Sequence, residues 1–493
     1  MAPASANEIP ARILMWQRVR EYAVPPSMIE TATARRAAGD WAGACAAARI
    51  DVDLDLRAVR HRHGTETSTR LRTDLRLLAP ELLRWHMPRI APDGLLRPGL
   101  TVSLARYGPP GGTPLQLVVR TPPAWADAGQ RMSLDVWDGP GPAAPGHHPH
   151  PHPDRRFRLD LHRHLWDSAR SGELARRSGA GLAPFTGLTG PPCAAGRPDL
   201  PAECAGPDSP WAVGRWADEA ELLLRAEGLP RGAFTVRFDA HRRAVLELVA
   251  PDDSHAPAFR PPREELPPQE AAVLPVLPEA AARALPDLEL LAYGLVAAER
   301  LHPLVAAALD GFGSPSSDAA AEPGDPRRVE CRGEIHRIAL RDGELTAVDH
   351  EPAELRREQL LVELGGPPLP CLRVIDAAHR SPEALPAVRE RLRHGDAAGA
   401  LAVVEALLGP GAMLRAGPLR DELESAAARR IEHGLFRAGL AAGRPATGAA
   451  GERNASGPGF VKVNHRPRIE RYTALAIRNK RSSRPRPRTV LAC

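Results

Sequence analysis

Lysine is nearly absent from this chain of 493 residues: among its 65 lysine and arginine residues, only Lys462 and Lys480 are lysines. A P-loop NTPase needs a lysine at the nucleotide phosphates, a protein kinase needs one on its third strand, and a Schiff-base or pyridoxal phosphate enzyme needs a lysine amine. Arginine cannot replace that amine because its guanidinium group stays protonated. Since both lysines lie in a C-terminal tail that we expect to be unfolded, the sequence argues against all three enzyme classes.

Long apolar runs and paired cysteines are also missing. No window approaches the length of a membrane span, and the early apolar run ILMW is shorter than the hydrophobic region of a signal peptide. The cysteines form no C-x-x-C pair, which is typical of reduced cytosolic thiols. They are Cys45, Cys193, Cys204, Cys331, Cys371 and Cys493. We expect a cytoplasmic protein that has no membrane contact.

The abundant residues indicate the genome and the loops. Arginine, alanine, glycine and proline use GC-rich codons, whereas the codons of the scarce lysine and asparagine begin with AA, so the composition indicates a GC-rich bacterial genome. The 53 prolines and 42 glycines together exceed the usual share of about 12%. This excess predicts long irregular connections.

Two short stretches predict helical hairpins near the two ends of the chain. In each, a Gly-Asp pair separates two apolar-periodic segments, at Gly39-Asp40 and at Gly395-Asp396. Glycine suits the left-handed residue that ends a helix, and aspartate accepts the free N–H groups that begin the next one. The turns resemble that of a tetratricopeptide unit, but no repeat of about 34 residues links them, so a solenoid is not predicted.

Between the helical hairpins the period changes to that of strands. An antiparallel meander is predicted from the alternating segments 100–107, 115–121 and 131–138. A fourth strand over 156–164 is favoured by the alternation of Phe157, Leu159 and Leu161, with an amphipathic helix as the alternative. Further on, we predict a helix at 216–227, a β-hairpin at 234–249, a buried helix at 288–309 that is interrupted by Pro303, and a hairpin at 334–350 whose turn contains Asp-Gly.

These elements predict a multidomain α+β fold with antiparallel sheets or hairpins, helical hairpins near both ends and a disordered C-terminal tail. The predicted units are an α+β domain at 1–178 with a His/Pro-rich loop at 139–155, a linker at 179–210, a middle α+β unit at 211–311, a linker at 312–327, a C-terminal α+β unit at 328–440, and a tail at 441–493.

Six of the eighteen histidines lie within 146–167, in GHHPHPHPDRRFRLDLHRHLWD. His147, His148, His150 and His152 alternate with or precede prolines, which favour polyproline II geometry. Residues two apart in that helix point in different directions and do not converge on one ion. We therefore interpret this run as a solvated loop.

The sequence DLHRH offers a different arrangement. In a strand, Asp160, His162 and His164 would share one face. Asp-x-His-x-His at the end of an apolar strand resembles the first metal motif of the amidohydrolase barrels, and the resemblance covers these five residues. It implies a divalent metal that activates water. In a helix, His162 and His164 would lie about 200° apart and the site would be lost.

A second polar pattern precedes the other HRH sequence, His61 and His63. Asp51, Asp53 and Asp55 would lie on one face of a strand, where carboxylates can hold Mg²⁺. The apolar residues between them explain the same pattern as a half-exposed strand, which is the interpretation that we favour.

The net charge of +5 is concentrated at the C-terminus. From Arg444 to Cys493 there are twelve basic and two acidic residues, whereas residues 1–443 are mildly acidic. Little apolar sequence follows Leu440, so the tail is expected to be disordered. Its arginines allow weak, salt-sensitive contact with nucleic acid.

No set of polar residues converges strongly enough in the sequence to assign a catalytic site. We therefore expect a non-catalytic interaction or adaptor protein that binds another protein and needs no cofactor or metal. One alternative is a metal-dependent hydrolase that uses Asp160, His162 and His164 with zinc or another divalent metal. The other is a nucleic-acid-associated protein that uses its basic tail.

Overall fold

The structure is a computed structural model that describes most of residues 9–440. The described residues are 9–108, 115–139, 148, 152–179, 200–201, 204, 209–229, 231–249, 256–264, 266–309, 328–341, 344–380, 382, 384–409 and 413–440. They belong to one compact unit, Met1–Leu440. Four segments predicted from the sequence lie wholly or mostly outside the described residues. They are the linker 312–327 and the disordered tail 441–493, most of the linker 179–210, and most of the loop 139–155.

The described chain has an α+β fold, as predicted. The helices are α1 Ala11–Arg18, α2 Pro26–Ala37, α3 Trp41–Ala47, α4 Leu56–Leu77, α5 Pro80–His86, α6 Leu174–Ser178, α7 Trp216–Ala226, α8 Pro268–Val273, α9 Glu279–Ala282, α10 Pro286–Ala292, α11 Pro303–Leu309, α12 Pro352–Glu363, α13 Pro370–Arg380, α14 Leu385–Arg393, α15 Ala397–Leu408 and α16 Pro418–Arg437. The strands are β1 Ile50–Val52, β2 Arg89–Ile90, β3 Leu95–Leu96, β4 Thr101–Tyr107, β5 Leu115–Arg120, β6 Met132–Trp137, β7 Gly232–Arg237, β8 Arg243–Val249, β9 Ala258–Arg260, β10 Arg328–Cys331, β11 Glu334–Arg341 and β12 Glu344–Ala347. Among the described helices, none combines the length and hydrophobicity needed to cross a bilayer.

Both predicted helical hairpins are confirmed, and their two turns have the same local structure. Gly39 and Gly395 adopt φ values of +78° and +81° between α2 and α3 and between α14 and α15. The aspartate that follows each glycine accepts a hydrogen bond from the third residue of the next helix and pairs with an arginine five residues before it. The matching residues are Arg35, Asp40 and Gly43 in one hairpin and Arg391, Asp396 and Gly399 in the other.

The predicted meander is confirmed as β4, β5 and β6, paired antiparallel in sequence order. The fourth strand of this sheet is β1, which pairs parallel with β6 in the register Ile50↔Met132. The preferred strand at 156–164 is therefore wrong, and so is the alternative helix. The segment forms two 3-10 turns, Leu159–Leu161 and Arg163–Leu165, because the Trp166 indole donates back to the Leu159 carbonyl at 3.0 Å and holds the chain in a compact turn.

The main core joins the N-terminal elements to α10 and α11. The sequence predicted a helix over 288–309 interrupted by Pro303, and the structure has two separate helices there: α10 ends before Gly294, which adopts φ +66°, and Pro303 begins α11. A second core lies between α7, α9 and the sheet β7-β8-β9, and confirms the predicted helix and hairpin there. The predicted middle unit 211–311 thus contributes to two different cores.

Two smaller cores complete the unit. Strands β10, β11 and β12 form an antiparallel sheet, which confirms the predicted hairpin, and pack with α12 and α13 around a small core. Helices α14, α15 and α16 enclose another core. This helical group lies against the N-terminal sheet region, where Arg49 donates to the His394 carbonyl at 2.7 Å and His433 contacts the Ala126 carbonyl at 2.9 Å.

Candidate functional site

The described histidines of the His/Pro-rich run contact different parts of the protein. The His148 Nε2 atom lies 2.8 Å from the carbonyl oxygen of Thr121. The His152 ring meets Trp137 edge-on, with ring centroids 6.1 Å apart. His147 and His150 lie outside the described residues. The structure therefore brings His148 and His152 to separate contacts rather than to one centre.

His162 is buried, the side chain of Asp160 is only 6% exposed, and both already have partners. Both carboxylate oxygens of Asp160 accept hydrogen bonds from Arg158, at 2.9 and 2.8 Å. The His162 Nε2 atom lies 3.0 Å from a Glu219 oxygen, and Nδ1 lies 3.0 Å from the Arg158 carbonyl. Both ring nitrogens of His162 are therefore engaged by acceptors inside the fold.

Glu219 is the carboxylate of this buried group. Burial by itself would raise its pKa, but hydrogen bonds from His162 and Arg177 outweigh that effect and hold the pKa of Glu219 below its ordinary value. His164 lies beside His162 with ring centroids 5.9 Å apart, and burial, reinforced by the charge of His162, lowers the pKa of His164 well below its ordinary value. The DLHRH segment thus supplies a structural ion-pair group in this arrangement.

The aspartates predicted on one strand face lie on different elements, so that prediction is wrong. Only Asp51 lies in β1; Asp53 follows the strand, and Asp55 caps α4 by accepting from two backbone N–H groups. Asp51 pairs with Arg131, and Asp53 pairs with Arg437. His61 and His63 belong to α4. Arginines therefore neutralise Asp51 and Asp53, two of the three carboxylates that a strand face would have offered to Mg²⁺.

A different group of metal-binding side chains emerges from the fold. Among the residues that the structure describes, Cys331, His350 and Cys371 form the one group of three His, Cys, Asp or Glu side chains whose ligand atoms all lie within 4.8 Å of one another. All three are buried. Cys331 ends β10, His350 follows β12, and Cys371 lies in the first turn of α13. The small sheet and one helix thus converge on this group.

The surroundings of His350 give its two ring nitrogens different roles. The Nδ1 atom lies 3.5 Å from a carboxylate oxygen of Glu354, while Nε2 is buried without a hydrogen-bond partner. The ring of His336 stacks on that of His350, with centroids 4.0 Å apart and planes inclined by 9°. Burial, together with a hydrogen bond to Cys331, raises the pKa of the Cys371 thiol to about 11. The Cys371 thiol is therefore protonated at neutral pH.

No local spacing in the sequence indicates this group. Cys331 and Cys371 are separated by two strands and a helix, and no close C-x-x-C or H-x-x-x-H spacing marks them. The only indication of this group in the sequence is a local enrichment: two cysteines and two histidines occur within residues 331–371, in a chain with six cysteines.

A second feature of the same region is an exposed apolar surface at the end of α12. Leu360, Leu361 and Leu364 are exposed by 58%, 50% and 86%. Leu360 and Leu361 are adjacent, Leu364 follows them by four and three residues, and the exposed Arg356 and Arg357 precede them by four, so the five residues lie on one side of the helix. We call these five residues the α12 face.

No family model matches this chain, and neither a curated protein nor a solved structure matches it.

Proposed function

We propose that this protein is a non-catalytic interaction protein whose α12 face binds an apolar segment of another protein. The observation that carries the proposal is the position of the exposed apolar side chains. Among the described residues, eleven of the sixteen exposed large apolar side chains lie between Ile335 and Leu440. Monomeric proteins rarely concentrate exposed apolar side chains, and such patches commonly mark interaction surfaces.

The chemistry of the α12 face specifies the kind of partner. Three leucines at helical spacing suit the apolar side of an amphipathic helix, and burial of each leucine contributes about 1.5–3 kcal/mol before the costs of association. The guanidinium groups of Arg356 and Arg357 lie one turn before the leucines and favour acidic residues at one end of the bound segment. We therefore infer an amphipathic helical partner segment with acidic residues at one end.

The use of the buried charges also supports a non-catalytic role. The acids Asp160, Glu219 and Asp287, whose side chains are at most 6% exposed, each pair with an arginine, a histidine or an indole N–H inside the fold. A half-open cleft of about 230 Å³ is lined by Trp41, Leu56, Arg72, Leu75 and Arg76. That lining offers neither a nucleophile nor a general base, whereas enzyme pockets combine several such groups in a larger volume.

Site-specific photo-crosslinking of the full chain in cells of the source organism tests this proposal. A photoreactive amino acid is placed at Leu361, and the matched control carries it at Leu229, an exposed leucine beyond α7. We expect one discrete heterologous adduct from position 361 and none from position 229, detected by gel shift and identified by mass spectrometry. The double substitution of Leu360 and Leu364 to glutamate, which introduces charge into the contact, should abolish the adduct.

Two results would contradict the proposal. Equal labelling from positions 361 and 229 would mean that the α12 face has no preferred partner. An adduct between two copies of this chain would assign the face to self-association instead.

A further inference from the structure

The sheet β10-β11-β12 with α12 and α13 has too small a core for its length. Among the side chains that the structure describes, its buried apolar cluster has five members: Cys331, Ala347, Leu355, Leu369 and Cys371. The other buried apolar side chains of these elements are Ile338 in β11 and Ile375 in α13. Ordering a residue costs roughly 1–2 kcal/mol of backbone entropy, and this small set, of which two members are thiols, contributes little against that cost over such a segment. Small units of this kind usually contain a disulfide or a structural metal.

We propose that Cys331, His350 and Cys371 bind one zinc ion, which acts as a structural centre that holds β10, the end of β12 and α13 together. Two thiolates and one imidazole are ligands of the borderline-soft type that zinc prefers in structural sites. The site is new to the fold and does not depend on the partner interaction of the α12 face.

The distances require only a small adjustment on binding. The ligand atoms lie within 4.8 Å of one another. Zn–S bonds of about 2.3 Å and Zn–N bonds of about 2.0–2.1 Å in a tetrahedron place the ligand atoms roughly 3.4–3.8 Å apart. The ligand atoms must therefore approach one another by up to about 1 Å, which rotation of the cysteine side chains can provide.

Glu354 positions the imidazole for this role. With Nδ1 facing the Glu354 carboxylate at 3.5 Å, the tautomer that donates from Nδ1 leaves the lone pair of Nε2 for the metal. A carboxylate behind a metal-binding histidine is a common arrangement that raises the basicity of the ring and fixes its orientation. Glu354 is thus a positioning residue and not a ligand.

His336 is excluded from the ligand set by its geometry. Its ring lies parallel to that of His350 at 4.0 Å between centroids. A metal bound to Nε2 of His350 would lie in the plane of the His350 ring. That position is too far out of the plane of the His336 ring for the lone pairs of His336 to reach. His336 covers the site, and the fourth position of the tetrahedron would be taken by a solvent molecule.

Zinc binding displaces the protons of the two thiols. Cys331 and Cys371 each lose a thiol proton to solvent as the two Zn–S bonds form, and His350 binds as the neutral ring. Zinc binding therefore releases up to two protons, and the affinity increases with pH in the neutral range.

Metal analysis of the full-length, tag-free protein under reducing conditions tests the proposal. We expect one zinc per chain by mass spectrometry of the bound metal, and a cobalt-substituted form with a thiolate-to-cobalt charge-transfer band and tetrahedral visible bands. C331S, C371S and H350N should each lose the metal, and E354Q should bind zinc 10- to 100-fold more weakly. Because E354Q retains all three ligands, it tests the site even where a ligand variant fails to fold.

Two matched controls accompany these variants. C45A removes another buried cysteine, which belongs to the main core, and H336N removes the histidine stacked on His350. Both should retain one zinc and an unchanged cobalt spectrum. The proposal is overturned if the wild-type protein binds no zinc when zinc is supplied, or if the cobalt form lacks the charge-transfer band. It is also overturned if H336N loses the metal, or if metal-free protein keeps a Cys331–Cys371 disulfide under the reducing conditions.

Discussion

At the scale of single residues, the buried group around Glu219 shows how this protein uses ionisable side chains inside its fold. Glu219 on α7 bridges His162 and Arg177, and its side chain is only 4% exposed. The Arg177 guanidinium needs this carboxylate, since an uncompensated charge in this position is costly. The group therefore connects the turn at 159–165 and α6 to α7 through charge as well as packing.

Replacing the charge of Glu219 should destabilise the protein strongly. We expect E219Q to lower the free energy of unfolding by about 3–5 kcal/mol, because it leaves the Arg177 guanidinium, only 10% exposed, without its anion. The control E221Q, which removes a partner of the exposed Arg225 on the same helix, should cost less than about 1 kcal/mol. Urea denaturation of both variants at neutral pH measures the difference. Similar losses in the two variants would contradict the assignment.

The same group predicts an acid dependence of stability. The pKa of Glu219 is lower in the folded state than its ordinary value of about 4.3. Its stabilising contribution is therefore complete above about pH 4.3 and is lost as the pH falls through the folded value. In denaturation curves recorded from pH 7 downward, wild-type stability should decline below this point more steeply than that of E219Q. Parallel curves would show that Glu219 does not titrate as described.

At the scale of elements, the two helical hairpins use the same local turn in different surroundings. The turn of α2 and α3 is open, and a Cβ atom at Gly39 would meet nothing within 4 Å. The turn of α14 and α15 lies against the N-terminal region, and a Cβ atom at Gly395 would lie 2.0 Å from the backbone oxygen of Gly129. The second hairpin therefore needs its glycine for two reasons, the positive φ and the close approach.

This pair of glycines provides a matched test of the packing between the C-terminal helices and the N-terminal region. G39A should cost about 1–2 kcal/mol, the usual penalty for an L-residue with positive φ. G395A should cost clearly more, because backbone atoms of two segments would have to separate. Chemical denaturation of the two variants checks the order. Equal costs would indicate that the hairpin of α14 and α15 does not lie against Gly129 in solution.

At the scale of the whole molecule, the charge is divided between a mildly acidic unit and a basic C-terminal segment. The described residues belong to Met1–Leu440, while the twelve basic residues from Arg444 onward lie outside them. Nucleic-acid contact through this segment remains a prediction from the sequence. It would be electrostatic and without sequence preference, since arginine and lysine neutralise phosphates.

Deletion of residues 441–493 tests both predictions for this segment. We expect the free energy of unfolding of the remaining chain to change by less than about 1 kcal/mol, because the deleted sequence has little apolar content to bury. Any affinity for DNA should fall steeply between low and moderate salt in the full chain and disappear in the truncated one. A larger loss of stability would identify a docked element, and DNA binding that survives truncation would place the site in residues 1–440.

Local features of the fold could be derived from the sequence alone. The turns at Gly39-Asp40 and Gly395-Asp396, the meander β4 to β6 and the hairpin β11-β12 depend on residues close in sequence, whose φ preferences, caps and alternating periods act within a few positions. The class of the fold follows from the same signals. The scarcity of lysine likewise limits the chemistry without reference to any contact.

Only the tertiary structure decided which distant residues meet. The segment around Leu159 alternates like a strand, yet Trp166 folds it into turns because burying that indole and satisfying its N–H outweigh a weak local preference. Asp160 and His162, which the sequence suggested as metal ligands, are held by Arg158 and Glu219. Cys331, His350 and Cys371 come together because β10, β12 and α13 pack around one small core, and no local pattern encodes a contact that depends on the packing of three separate elements.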